Sequence, residues 1–169
     1  GDHLEVSLGD TPSCSMIDDF NGIDVLRRGN FIFYDLVQES IGSCKIDEIA
    51  VAMVCPVIAV NYSRKEVVIY GGGVHFSKDR MVRDGNETFG QLVKFDAFSQ
   101  SWGPPIEGCY IKSLSQEHGI VSLNDKLIRN AGIGDLLTFL LVHSCLTADI
   151  MRGYLSVTNH SMIDHMNGK

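Results

Sequence analysis

The sequence predicts a mainly β protein: an antiparallel, barrel-like or sandwich-like domain preceded by a short segment of different character. Three observations carry this. Short runs rich in Val, Ile, Leu, Phe and Tyr recur along the chain, each bounded by Gly, Pro, Asn or Asp. Helical periodicity is weak outside two stretches, YDLVQESIG (34–42) and TADIMRGYL (147–155). The first 38 residues alternate β-type runs with loops in the manner of an α/β barrel, which sets a boundary near residues 38–46. Residues 1–42 and 43–169 are therefore expected to be two parts.

Taken in order, HLEVSLG (3–9) and GNFIFYD (29–35) read as strands, each beside a glycine-bearing turn, LGDTPS and RRGN. IAVAMVCPVIAVNYS (49–63) and EVVIYGG (66–72) are joined by SRKE, a tight turn that makes them a hairpin. GQLVKFD (90–96), CYIKSLS (109–115), GIVSL (119–123) and LLTFLLVHS (136–144) complete the strands. SQSWGPPIEG is a loop whose Trp102 is expected to pack over a core edge. No internal repeat or low-complexity tract interrupts the pattern.

Composition narrows the function classes. The chain has 169 residues, enough for one domain with a sizeable core or a domain plus a fragment. Its 44% hydrophobic and 21% charged residues are those of an ordinary globular protein. A formal charge of −7 and no Lys/Arg cluster argue against nucleic acid and anionic membranes as partners. No apolar run reaches the roughly 20 residues of a membrane span, and GDHLEVSLGD has neither the basic start nor the apolar centre of a secretion signal. Five cysteines, odd in number and scattered, read as free thiols in a reducing cytoplasm, mostly small core residues.

Two places carry candidate chemistry. In LLVHSC, His143 and Cys145 lie two apart; on a continuous strand they share a face, roughly 7 Å apart at about 3.3 Å per residue. One metal ion or one small substrate could touch both, and two unrelated core residues would look the same. At the N-terminal end, Gly9 to Thr11 can present backbone N–H groups and a hydroxyl to an anion, with Gly29 and Asn30 at the equivalent point before the next strand. His75 reads as a satisfied core histidine, and His160 and His165 as part of a loose polar tail.

Four segments, in order, resemble one family. VSLGDTPSCS (6–15) with VLRRGNFIFYD (25–35) is similar to the last two barrel strands of a fold-type III pyridoxal-phosphate (PLP) enzyme. VVIYGGGVHFSKD (67–79) resembles the glycine-rich turn of its appended β domain, LSQEHGIV (114–121) that domain's Glu-His-Gly segment, and IGDLLTFLLVHSC (133–145) its His-x-Cys metal site. Together they point to the D-serine dehydratases and D-threonine aldolases, the alanine-racemase-like group. The resemblance implies that residues 1–42 are the last strands of a truncated TIM-type barrel and 43–169 a D-serine-dehydratase-like β domain. It also implies that Gly9, Thr11, Gly29 and Asn30 contact the PLP phosphate, and that His143 and Cys145 hold zinc, with substrate and water filling the other positions. His118 would be a catalytic acid-base group, a partner of one, or a residue that only shapes the turn. Two departures stand out: Asp10 replaces a serine of the phosphate loop, and Gln116 replaces the first of two acids before the histidine.

The family's Schiff-base lysine lies on the first barrel strand. The lysines here begin at Lys45, downstream of both barrel segments. The expectation is that this chain is the C-terminal portion of a longer enzyme and is inactive alone. Its partners would be the missing N-terminal barrel, a small D-3-hydroxy amino acid, and a second copy in a homo-oligomer, since orphaned strand edges favour association. The rival readings are a metal-free PLP racemase and a stand-alone β binding or interaction module.

Overall fold

The computed structural model describes residues 4–165. The chain opens on Ser7–Leu8 (β1), Thr11–Met16 (α1) and Val25–Leu26 (β2), a small β-α-β unit whose strands pair in parallel. Asp10 explains the start of α1: its carboxylate takes the Ser13 N–H at 2.7 Å, and Pro12 fits a first turn that needs no donor there. That hydrogen bond holds the Asp10 carboxyl below its ordinary pKa.

The expected strand over 29–35 is absent. Asn30–Ile32 forms a 3-10 turn, Tyr34 takes φ 48°, and Asp35 caps the helix Leu36–Ser40 (α2). The Asp35 side chain takes the Gln38 N–H at 2.9 Å and starts α2 within the stretch 34–42 expected to be helical. The strand expected over 3–9 reduces to β1, and His3 lies outside the described residues.

The centre is a closed six-stranded barrel. Ala52–Asn61 (β3), Glu66–Tyr70 (β4), Gly90–Val93 (β7), Tyr110–Leu114 (β10), His118–Ser122 (β11) and Leu136–Leu141 (β12) pair antiparallel in the order β10-β11-β4-β3-β12-β7. Tyr110 opposite Gln91 closes the ring. The barrel rather than the sandwich form is therefore the one adopted. SRKE makes the expected hairpin, with Asn61 opposite Glu66 and Lys65 at φ 55°. Between these strands lie Gly73–Phe76 (α3), the hairpin of Met81–Arg83 (β5) and Asn86–Thr88 (β6), the two-residue pair Phe95–Asp96 (β8) and Ser101–Trp102 (β9), and Asp125–Ile128 (α4).

Alternation along the strands fills the barrel. Cys55, Val57, Val67, Ile69, Leu92, Ile111, Val121, Phe139 and Leu141 all belong to the inner core. Leu140 and Val142 face the other way, into a second core with Leu36, Cys44, Ile49 and Val93, against which Trp102 packs. The strand β12 is thus buried on both faces, the reason its sequence is one unbroken apolar run.

Three glycines are fixed by close contacts, two of them with backbone and one with a side chain. A Cβ on Gly72 would lie 2.5 Å from Gln116 O, Glu117 C and His118 N; one on Gly71 would lie 2.5 Å from Cys55 Sγ; one on Gly119 would lie 2.8 Å from Gly71 O. The glycine-rich turn and the Glu-His-Gly segment, 40-odd residues apart in sequence, are pressed together backbone to backbone.

Two more expectations change at the C-terminal end. The strand expected over 136–144 stops at Leu141, and the helix expected over 147–155 is Ser144–Met151 (α5), followed by Gly153–Leu155 (β13). Arg152 in the left-handed region ends the helix. The tail is not loose as far as His165: β13 pairs with Met162–Asp164 (β14), and the His165 ring stacks near Phe33 and Tyr154. Residues 166–169 of that expected tail lie outside the described residues.

Candidate active site

His143 and Cys145 do not share a strand face. His143 is the N-cap of α5, with φ −135° and ψ 101°, and Cys145 lies in the first turn of that helix. The same-face estimate made on a continuous strand therefore does not apply. What positions His143 is Asp79, whose Oδ2 lies 2.8 Å from the imidazole Nδ1. A carboxylate only accepts, so Nδ1 carries the proton, and in the neutral ring Nε2 is the nitrogen left to face a metal or a substrate proton.

Asp79 is delivered by a constrained turn. Ser77, at the end of α3, is 7% exposed with φ 68° and ψ −171°, a region almost reserved for glycine. Its hydroxyl takes the Asp79 N–H at 3.2 Å. Nearby, Thr147 Oγ1 donates to Phe76 O at 3.0 Å and ties α5 to α3. The imidazole opens on a cavity of about 210 Å³ lined by Asp35, Val37, Gln38, Asp79, Arg80, Val142 and His143.

Cys145 is half-buried. Burial, then the nearby Asp35 charge, pushes its thiol above the ordinary value. A bound cation would reverse that balance and favour the thiolate. Among the described residues no group of three or more His, Cys, Asp or Glu side chains gathers to hold a metal. A zinc ion at this turn would have two protein donors, the imidazole and the thiolate, and would draw its remaining ligands from substrate and solvent. The chemistry of that donor pair suits zinc.

The phosphate-side candidates are joined to this turn through buried polar contacts. Thr11 Oγ1 accepts the Asn30 backbone N–H at 3.0 Å. The Asn30 amide donates to Asp35 Oδ2, while its oxygen accepts from Ser144 Oγ at 2.8 Å. Asp35 Oδ2 also takes the Ser144 N–H at 3.0 Å. Thr11 and Asn30 are thus brought together, and their network ends on the residue between His143 and Cys145. Gly9 lies beside Arg27, with a Cβ there 3.4 Å from the guanidinium. Gly29 has φ −82°, open to any residue, and empty space where a Cβ would go.

His118 stands apart from the cavity lining. It is exposed at the start of β11, with its ring 6.0 Å from that of Tyr70 and its backbone held by Ser115. His75 is partly exposed rather than buried. It is satisfied as expected: its Nδ1 takes the Gly72 N–H at 3.1 Å, and its ring lies 5.0 Å from Tyr70.

Sequence reasoning missed Asp79, Asp35 and Arg27. Asp79 sits in GGGVHFSKD, a segment noted for its glycines, and nothing in the spacing ties it to His143 64 positions on. Asp35 carried a local signal, an acid three residues before Gln38. Arg27 was visible only as part of RRGN.

The closed antiparallel barrel is of the kind found in the C-terminal domain of alanine-racemase-like proteins. An alanine-racemase-like protein from Idiomarina loihiensis superposes with a TM-score of 0.81 at 28% identity, over 98% of this chain and 44% of that one. The family model described as "Putative serine dehydratase domain" matches residues 50–157, and the chain belongs to that family. Among curated relatives, the D-serine dehydratase of Dictyostelium discoideum is 28% identical over 94% of this chain and 40% of its own length. The D-threo-3-hydroxyaspartate dehydratase of Delftia sp. (strain HT23) is 26% identical over 84% of this chain and 38% of its own length. This chain spans about two fifths of these relatives. Solved structures of two D-threo-3-hydroxyaspartate dehydratase variants, each 23% identical, superpose with TM-scores of 0.79 and 0.78 over 98% of this chain and 43% and 45% of theirs. Both curated relatives are dehydratases, so the isomerase reading has no support among them. No helix among the described residues is long and apolar enough to cross a membrane.

Proposed function

We propose that this chain is the C-terminal part of a PLP- and zinc-dependent lyase that removes water from a small D-3-hydroxy amino acid. The observation that carries the reading is His143, its Nδ1 fixed by Asp79, at the mouth of a cavity and two residues before Cys145. The dehydratase relatives favour loss of the 3-hydroxyl over carbon–carbon cleavage. Residues 1–42 are the end of the PLP-binding barrel, and 43–169 the β domain that completes the site.

Each residue has a task. His143 Nε2 and Cys145 Sγ hold the zinc, and Asp79 keeps the imidazole in the tautomer and orientation that ligation needs. The Gly9–Thr11 and Gly29–Asn30 turns face the PLP phosphate, and Arg27 beside Gly9 adds positive charge. An accessible glycine with unstrained φ at position 29 suits close approach by an anion. Asp10 does not oppose it, because its carboxylate is turned into the cap of α1. When bound, PLP supplies an electron sink at Cα and zinc a Lewis acid for the departing hydroxyl.

The test is zinc content and D-serine and D-threo-3-hydroxyaspartate turnover in a full-length protein bearing this chain. One zinc per chain, lost with turnover in His143→Ala, supports the reading. Turnover that survives complete removal of metal, or zinc retained by His143→Ala, refutes it.

A further inference from the structure

The metal-side and phosphate-side turns meet at one buried acid. Asp35 is 1% exposed, and its two oxygens serve two helices. Oδ1 takes the Gln38 N–H at the start of α2, and Oδ2 takes the Ser144 N–H at the start of α5 at 3.0 Å. Both helices point their positive ends at this one carboxylate. Asn30 donates to Oδ2 as well, and Ser144 Oγ reaches Asn30 at 2.8 Å and Asp35 at 3.4 Å. Ser144 is fully buried and stands between the two residues assigned to the zinc. Its N–H and hydroxyl are both spoken for, so the peptide joining His143 to Cys145 has little freedom to turn.

We propose that Asp35 is a positioning residue for the metal turn. Its hydrogen bonds go to Asn30, Gln38 and Ser144, so it acts on the ligands through the backbone between them. Rotating Ser144 would swing the imidazole and the thiol relative to each other, and a two-donor site has no other protein ligand to restore the bite. The same carboxylate, through Asn30 and Thr11, fixes the phosphate-side turn in register with the metal. This inference rests on the zinc reading of His143 and Cys145.

Asp35→Asn is the informative variant. It keeps size and shape but replaces one acceptor by a donor, which must then face either a helix N–H or the Asn30 amide. Zinc affinity would be measured on the full chain by competition with a chromophoric chelator, alongside His143→Ala and the d–d spectrum of the cobalt-substituted protein. The expected result is zinc bound by the unaltered protein, none by His143→Ala, and affinity about 10–100-fold lower in Asp35→Asn, with a changed cobalt spectrum. Affinity within twofold and an unchanged spectrum would overturn the proposal, because loss of global stability alone does not alter the geometry of metal held by folded molecules. If instead the unaltered protein binds no zinc, or His143→Ala binds it equally well, the zinc reading itself fails and this inference with it. Should Asp35→Asn not fold, Ser144→Ala decides, since it removes only the hydroxyl contacts. About three- to tenfold weaker zinc binding is expected from one lost hydrogen bond; no change overturns the proposal.

Discussion

Cys55 and Cys145 show how differently one residue type is used here. Cys55 points into the barrel beside Gly71, 2% exposed, and burial pushes its thiol up to about 12. Cys145 sits half-buried next to the imidazole-bearing cap. Cys145→Ala is expected to lower zinc affinity at least tenfold, while Cys55→Ala leaves it unchanged and costs packing instead; equilibrium zinc titrations of both variants check this. Cys55 also sets an alkaline limit. Its folded-state pKa lies above the unfolded value, so its contribution is complete below pH 9 and lost as pH rises towards 12. Urea midpoints at pH 8 and pH 10 should fall more for the unaltered protein than for Cys55→Val. At this scale the types and spacing of His143 and Cys145 single them out in the sequence, but their geometry, a helix cap and its first turn, was not legible there. Asp79 was illegible because it meets His143 only after the barrel has closed.

Among the elements, the glycines divide by what surrounds them. Gly72→Ala would drive a methyl into the backbone of 116–118 and is expected to cost about 1–3 kcal/mol or more in chemical denaturation. Gly29→Ala meets nothing within 4 Å and should leave stability within about 0.5 kcal/mol. If the phosphate assignment holds, the same variant weakens PLP binding in the full-length protein; unchanged PLP affinity would remove Gly29 from that role. The barrel strands were legible because short β-branched runs such as EVVIY and GIVSL are bounded by turn residues, and because SRKE marks its own hairpin. The ends of the apolar runs were less so. FIFYD and LLVHS look like strands by composition; α2 starts through the local cap of Asp35 on Gln38, in a stretch read as helical, but α5 starts through a hydrogen bond from Ser144 to Asp35, 109 positions away. No local pattern encodes that contact.

At the scale of the whole molecule, the N-terminal unit displays apolar side chains that its own fold leaves uncovered. Leu4, Val6, Met16, Ile17, Leu26 and Ile32 are all exposed, Leu4 at 85% and Ile32 at 68%. The parallel pair β1 and β2 is only two residues long on each strand, too small to cover them. The 169-residue chain alone, mixed with PLP, should develop no visible Schiff-base absorbance; a band would make one of the lysines from Lys45 onward the attachment point.

The clamp at Asp35 also has a consequence for the order of folding. Its contacts with Ser144 close loops of more than a hundred residues, and Asn30 with Ser144 closes one longer still, at a separation of 114. Loop-closure entropy grows with length, and long-range contacts of this kind form late. The hairpin of β3 and β4 can assemble while α5 is still being synthesised, but the cap that orients His143 cannot. A nascent chain therefore lacks the ordered turn from His143 to Cys145, and any ligand that needs both side chains would bind only once these distant segments have met.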